Sequence, residues 1–304
     1  MLKYKSDFQG YSCKFSPFLD NIIGCCFNQY YGIIGNGKLS IFSFTESEIL
    51  LKKEYKTNEA IFDISFSEIY KNYIISCQGD GTIKLWDFSN NNNLPLFSIK
   101  QHEKEIWNIN WSHLIPNLIL SCGSDKLLKI TDVQNGKVLN TFNHNDIIYS
   151  CNFHPTLSNV ISSSSKDKSC KLFDIKSNKE IKSFNSNYEI LTCDFNKYDN
   201  LIGLGYSNGI IQIYDLRKSD IEVITLNGHN LCVKKIIFSP FDSKTLISVS
   251  YDMNVNYWNI SYSIPIHIFN HHKEFVYGCD FSLFNKNLVS STSWDNSLCL
   301  FNIN

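Results

Sequence analysis

The chain has 304 residues, 43% of them apolar and 14% aromatic, and a formal net charge of -1. That near-neutral balance gives no overall pull toward nucleic acid or an anionic membrane, and no apolar run reaches the ~20 residues a spanning helix needs. Met1-Leu2-Lys3-Tyr4 runs straight into strand-like sequence without an apolar leader, so no secretory signal is expected.

Leu2 to Lys5 reads as a strand with no partner in its own neighbourhood. From there the chain repeats. Each unit opens with a turn, often carrying a His, and continues into a strand that ends on an aromatic: Phe15, Phe66, Trp111, Phe153, Phe195, Phe238 and Phe281. A second strand follows, as at Tyr73 to Cys77 or Thr245 to Val249. Next comes a tight turn carrying Asn36, Asp80, Asp125, Asp167, Asn208, Asp252 or Asp295, at intervals of 41 to 45 residues. Seven residues after each of these a third strand ends, at Ser43, Asp87, Asp132, Asp174, Asp215, Asn259 and Asn302. Ile83-Lys84-Leu85-Trp86 and Ile211-Gln212-Ile213-Tyr214 show the alternation expected of half-buried strands. A fourth strand, such as Leu94 to Ile99, leads into the next unit, and the Asn run from Asn90 to Asn93 before it reads as a loop. No segment keeps a helical period.

A period of roughly 40–45 residues with a Trp86-Asp87 ending is the mark of WD repeats, four strands to a propeller blade. Seven such units predict an all-β, seven-bladed WD-repeat β-propeller, a single domain over residues 1–304. The seventh unit lacks an outer strand. Pairing the N-terminal strand with that last blade would close the ring and remove two sheet edges. The cysteines fit a core. Cys13, Cys151, Cys193 and Cys279 occupy one slot, which Ile64, Ile109 and Ile236 fill elsewhere, so they read as small buried hydrophobes. No CxxC pair suggests zinc, and adjacent Cys25-Cys26 suit one metal poorly. Reduced, buried thiols point to the cytosol.

His102, His144, His229 and His272 share repeats with Asp125, Asp167, Asp252 and Asp295, and with Ser121, Ser163, Ser248 and Ser291. On paper this is a hydrolase triad. Its occurrence in four repeats argues for scaffold, because an enzyme needs one site while a fold needs the same bracket in each blade. With Asp80 and the third-strand residues Trp86 and Trp258, these groups are expected to form a buried hydrogen-bond network. Repeat five is the weakest, with Ser186, Leu204 and Asn208 in the His, Ser and Asp slots. Repeat one carries Ser43 where the final Asp belongs. There is no P-loop, GxGxxG, HExxH or GxSxG, and Lys234-Lys235 reads as a solvated strand end.

Longer strings are more particular. They include FSPFLDN (15–21), QYYGIIGNGKL (29–39), IFDISFSE (61–68), IIYSCNFHP (147–155), EILTCDFNKYDNLI (189–202), YDLR (214–217), FSPFDSKTLISVSYD (238–252), HHKEFVYGCDFS (271–282) and SWDNS (293–297). On these the chain resembles the peroxin-7 family, the receptors for the type-2 peroxisomal targeting signal. The likeness runs from about Tyr11 to Phe301. It implies a receptor without enzymatic activity, cofactor or metal, with no nucleic-acid partner and no insertion into the membrane. Such a receptor binds cargo proteins through an N-terminal nonapeptide in the cytosol. A peroxin co-receptor then completes the complex and brings it to the peroxisomal docking complex.

The family's signal carries a basic and an aliphatic residue at its first two positions and His or Gln plus an aliphatic at its eighth and ninth. On an α-helix these offsets fall within about 120° of one another, so the signal is an amphipathic helix seeking carboxylates beside apolar side chains. Aligning the repeats puts Glu105 and Glu189 in one slot at the entry of the first strand, where other repeats hold Gln9, Ala60, Ile147, Cys232 and Phe275. Two residues on stand Tyr11, Phe62, Trp107, Tyr149, Leu191, Lys234 and Tyr277, a possible apolar lining, and Asp63 adds a third acid. Glu105, Glu189, Asp63, Trp107, Tyr149, Phe62 and Tyr277 are therefore the candidate signal-binding residues. Two other roles fit the fold alone: a general scaffold or substrate adaptor in another complex, and an enzyme with a site in the central channel, which no non-repeated nucleophile–base pair supports.

Overall fold

A computed structural model describes residues 1–90, 92–218 and 221–303; Asn91 of the expected Asn loop and Asn304 lie outside the described residues. Seven four-stranded antiparallel sheets account for the strands. We number them blades 1–7. Their first strands are Gln9–Phe15, Ile61–Phe66, Ile106–Trp111, Ile148–Phe153, Ile190–Phe195, Val233–Phe238 and Val276–Phe281. Each first strand packs against the first strands of both neighbouring blades, and the seventh returns to the first, so these strands wall a central channel. The sequence expectation of an all-β, seven-bladed propeller holds.

The ring closes as the sequence suggested. Leu2–Lys5 is the outer strand of blade 7, paired antiparallel with Ser297–Asn302 in the register Leu2 to Leu300 and Tyr4 to Leu298. Leu2 and Tyr4 point inward onto the cluster of Cys13, Phe15, Phe42, Leu298 and Leu300, so the clasp joins blade 7 to blade 1 by packing as well as by ladder bonds. Lys5 Nζ adds a bond of 2.8 Å to the Asp295 carbonyl. One expected strand shifts. The outer strand of blade 2 is Phe97–Lys100 rather than Leu94 to Ile99, because Pro95 has no N–H for a ladder.

The acids that set the period are turn-formers. Asp80 Oδ1 accepts from the Thr82 N–H at 2.9 Å, and Asp125, Asp167, Asn208, Asp252 and Asp295 do the same two residues on. The closing residues Asp87, Asp132, Asp174, Asp215 and Asn259 repeat the device at the other end of the blade. A short side-chain acceptor that folds back on its own backbone is what a tight turn needs.

The expected network is present in four blades. His102 Nδ1 lies 2.9 Å from Asp125 and its Nε2 lies 2.9 Å from Ser121 Oγ. His144, His229 and His272 repeat this with Asp167 and Ser163, Asp252 and Ser248, and Asp295 and Ser291. Trp86 and Trp258 donate to Ser76 and Ser248 at 2.9 and 2.7 Å. Burial opposes the charge on Asp125 and Asp252, yet bonds from His and backbone N–H outweigh it and hold both carboxyls below their ordinary range. Asp80 departs from the pattern. Thr57 stands in the His slot of its repeat and bonds to the Glu59 carbonyl, so Asp80 holds only its own turn through Thr82.

Candidate functional site: the mouth of the central channel

Every first strand carries a β-bulge at the same place. The register slips between Gly10 and Ser12, Ile61 and Asp63, Ile106 and Asn108, Ile148 and Ser150, Ile190 and Thr192, Val233 and Lys235, and Val276 and Gly278. The skipped residues are Tyr11, Phe62, Trp107, Tyr149, Leu191, Lys234 and Tyr277. A bulge adds one unpaired residue and re-aims its side chain. Here it turns all seven into the channel, where they line one constriction of about 40 Å³. The aligned slot was legible in the sequence; the bulge that gives it a common direction was not.

The collar is uneven. Tyr277, Tyr11, Phe62 and Trp107 run continuously from blade 7 to blade 3, with ring centroids 4.7, 5.6 and 4.4 Å apart. Trp294 stacks on Tyr277 at 4.7 Å, Tyr31 reaches Trp294 at 5.1 Å, and Tyr251 stacks on both Phe275 and Tyr277. Sequence reasoning missed Trp294, Tyr31 and Tyr251 because they stand on the turns after the second strands, outside the slot that was aligned. Tyr30 and Tyr31 both adopt left-handed backbone, with φ of 47° and 57°, and the Tyr11 hydroxyl donates to the Tyr31 carbonyl.

Glu105 and Glu189 sit at the same end of the ring, on blades 3 and 5. Their carbonyl oxygens accept from Ser124 and Ser207, the residues following the second strands of their own blades, at 2.9 and 3.0 Å. Gly123 is required beneath Glu105, since a Cβ there would lie 2.2 Å from that carbonyl oxygen. Both side chains are half-buried. Among the described residues neither carboxylate has a cationic partner; Glu189 accepts a bond of 3.3 Å from the Tyr149 hydroxyl. Burial, then the Glu189 charge, raises the Tyr149 pKa, which keeps that hydroxyl a donor.

Two expectations need correction. Asp63 is not an open rim acid. It is buried one step below the collar, accepting from Ser12, Asn108 and the Ile109 N–H, with Lys235 Nζ at 3.6 Å. It follows the bulge, so its side chain joins a polar belt instead of the mouth. Lys234 and Lys235 are not a solvated strand end either. Both are half-buried in the channel wall, and the Lys234 ammonium lies 5.1 Å from the Tyr277 ring and 5.9 Å from those of Trp107 and Tyr149. Burial first, then the neighbouring Lys235 charge, lowers the Lys234 pKa to about 8.

Below the belt the channel widens to a chamber of about 540 Å³. Two ion pairs stand in its wall: Lys14 with Asp280 at 3.3 Å and Lys197 with Asp194 at 3.2 Å. His271, His272 and Cys299 form the one group of potential metal ligands found among the described residues, within 4.8 Å of one another. Both ring nitrogens of His272 are already bonded within blade 7, and His271 Nε2 lies 3.1 Å from the same Ser291 hydroxyl.

Comparison with known proteins fits this geometry. The family model for the WD domain, G-beta repeat, matches residues 51–87, 136–174, 221–259 and 263–302. A mouse protein named peroxisomal targeting signal 2 receptor is 34% identical over 297 residues, covering 96% of this chain and 93% of its own. The chain belongs to the peroxisomal targeting signal 2 receptor family. A Saccharomyces cerevisiae member is 30% identical with 99% of both chains covered, and a human member 36% identical over 88% of this chain and 84% of its own. Three of the particular strings noted in the sequence meet at this mouth. HHKEF places Phe275 at the mouth, SWDNS places Trp294 there, and QYYGI forms the turn that brings Tyr31 against it.

Proposed function

We propose that this protein is an import receptor that binds the N-terminal type-2 peroxisomal targeting signal of cargo proteins. The observation that carries the reading is a pair of carboxylates, Glu105 and Glu189, without cationic partners among the described residues and beside a continuous aromatic arc. A nonapeptide helix with basic and aliphatic residues on one face matches that contrast. Its cation goes to the acids on blades 3 and 5, and its aliphatic side chains go to the arc of Tyr277, Tyr11, Phe62 and Trp107. The names of the mouse, yeast and human relatives support the same ligand.

The receptor works without catalysis. The four Ser–His–Asp brackets are buried inside their blades, each serine hydroxyl held against an imidazole and none of the four among the residues that line the channel. It meets cargo in the cytosol, is completed by a peroxin co-receptor and passes to the peroxisomal docking complex. Fluorescence polarisation with a labelled signal nonapeptide tests the reading. Binding weakens as salt is raised and falls at least about tenfold when the peptide's first basic residue becomes Glu. Equal binding of the two peptides would refute it.

A further inference from the structure

Four lysines line the channel: Lys14, Lys197, Lys234 and Lys235. Three are ion-paired, with Asp280, Asp194 and Asp63. Lys234 has no carboxylate within 4.0 Å among the described residues. Its neighbours are the rings of Tyr277, Trp107 and Tyr149, contributed by blades 7, 3 and 4. Ring faces attract a cation, but they leave the three N–H donors of an ammonium without a proper acceptor.

The cage is stiff. Trp107 Nε1 donates to Ser124 at 2.8 Å, the Tyr251 hydroxyl donates to that of Tyr277 at 2.8 Å, and Tyr149 donates to Glu189. Lys234 sits at a bulge, so it is directed toward the axis rather than along the wall. The constriction has room for about one small group, with a volume near 40 Å³. Only the tip of a side chain can be handed down into it.

We propose that Lys234 is a specificity-determining residue that donates a hydrogen bond to an acceptor on the face of the bound signal helix. The acceptor is the tip of a side-chain amide, imidazole or carboxylate lowered onto the channel axis. This rests on the reading of the mouth as the signal site. It adds a polarity to it: cation to the rim acids on blades 3 and 5, acceptor to the centre. A helix with a second cation at the centre is rejected, because like charges would meet in a poorly solvated neck.

The test is a double-mutant cycle by fluorescence polarisation. Wild type, Lys234→Met and Lys234→Arg are titrated with the labelled signal nonapeptide and with peptides in which each acceptor-bearing residue is replaced in turn by Leu. Lys234→Met weakens binding about tenfold or more, Lys234→Arg recovers part of the loss, and one Leu peptide loses affinity for wild type but not further for Lys234→Met. Melting temperatures of the variants report folding. Unchanged or tighter binding by folded Lys234→Met, or no peptide position coupled to Lys234, overturns the inference while wild-type binding leaves the receptor reading standing. No binding by wild type sinks both. If Lys234→Met does not fold, Lys234→Ala, which also removes the donor, carries the cycle, and absence of coupling there overturns the proposal.

Discussion

The turn network and the channel collar are cut from the same sevenfold template but use it in opposite ways. In the network, four blades repeat one set of atoms: His to Asp, His to Ser, with distances between 2.7 and 3.2 Å. In the collar, the backbone repeats while the side chains do not. Seven identical bulges present Tyr, Phe, Trp, Tyr, Leu, Lys and Tyr, and the tier above carries acids at two blades only. Chemistry that repeats around a ring holds the ring. Chemistry that varies on a repeated backbone distinguishes one side of a ligand from another.

The network side of the comparison breaks hardest at the clasp. Deleting residues 1–7 removes the outer strand of blade 7 and exposes the edge of Ser297–Asn302. A fall in melting temperature of roughly 10 °C is expected for the whole ring in one transition. An unchanged melting curve would contradict closure.

A smaller break separates bracketed blades from blade 5. His229→Ala strips Asp252 and Ser248 of a buried partner and should cost about 3 kcal/mol in denaturant unfolding. Ser186→Ala in the corresponding slot loses a single bond to the Tyr188 N–H on an exposed turn, and should cost under about 0.5 kcal/mol. Both folded variants keep wild-type affinity for the nonapeptide. Equal costs would show that the bracket is not what holds its blade.

The smallest effect concerns the opposite end of the blades. There, Ser16, Ser67, Ser112, Ser239 and Ser282 accept bonds from the turn that follows the first strand, and Asn196 does the same. In blade 4 the acceptor is His154 Nδ1, bonded by the Thr156 and Leu157 N–H groups. Burial, then the charges of Lys197 and His113, lowers its pKa from 6.5 to about 4. The unfolded chain therefore takes up its proton first, and stability is lost as pH falls from about 6.5 to about 4. His154→Ser keeps an acceptor and removes the titration. Over that window it should lose about 1–2 kcal/mol less than wild type in urea unfolding. Parallel curves would exclude His154 as a source of the slope.

Much of the scaffold could be read from the chain because short-range chemistry enforces it. Asp80 and its counterparts in blades 3 to 7 recur because a two-residue reach from side-chain oxygen to N–H makes the same turn, and the strand phase follows; Asn36 of blade 1 does not make it, and its carbonyl instead accepts from the Gln29 N–H. The shared slot of Glu105 and Glu189 at one end of the ring was legible from the same alignment. What escaped was set by direction and by long-range approach. Asp63 follows a bulge, so one residue of register moves it from the mouth into a belt with Ser12 and Asn108 from two other blades. Lys234 looked like a solvated end because nothing local reveals that Tyr277, Trp107 and Tyr149 meet around it. Trp294 and Tyr31 lie on turns from different repeats, and only ring closure brings them together.

The central claim, that Glu105 and Glu189 hold the cation of a signal helix, is tested most directly by swapping charge on both sides. The Glu105→Lys/Glu189→Lys receptor should bind the natural nonapeptide about thirtyfold more weakly than wild type does, with its melting temperature unchanged. It should regain much of that loss toward a peptide whose basic residue is Glu. A double variant that binds the natural peptide as wild type does, or that gains nothing from the acidic one, would contradict the account.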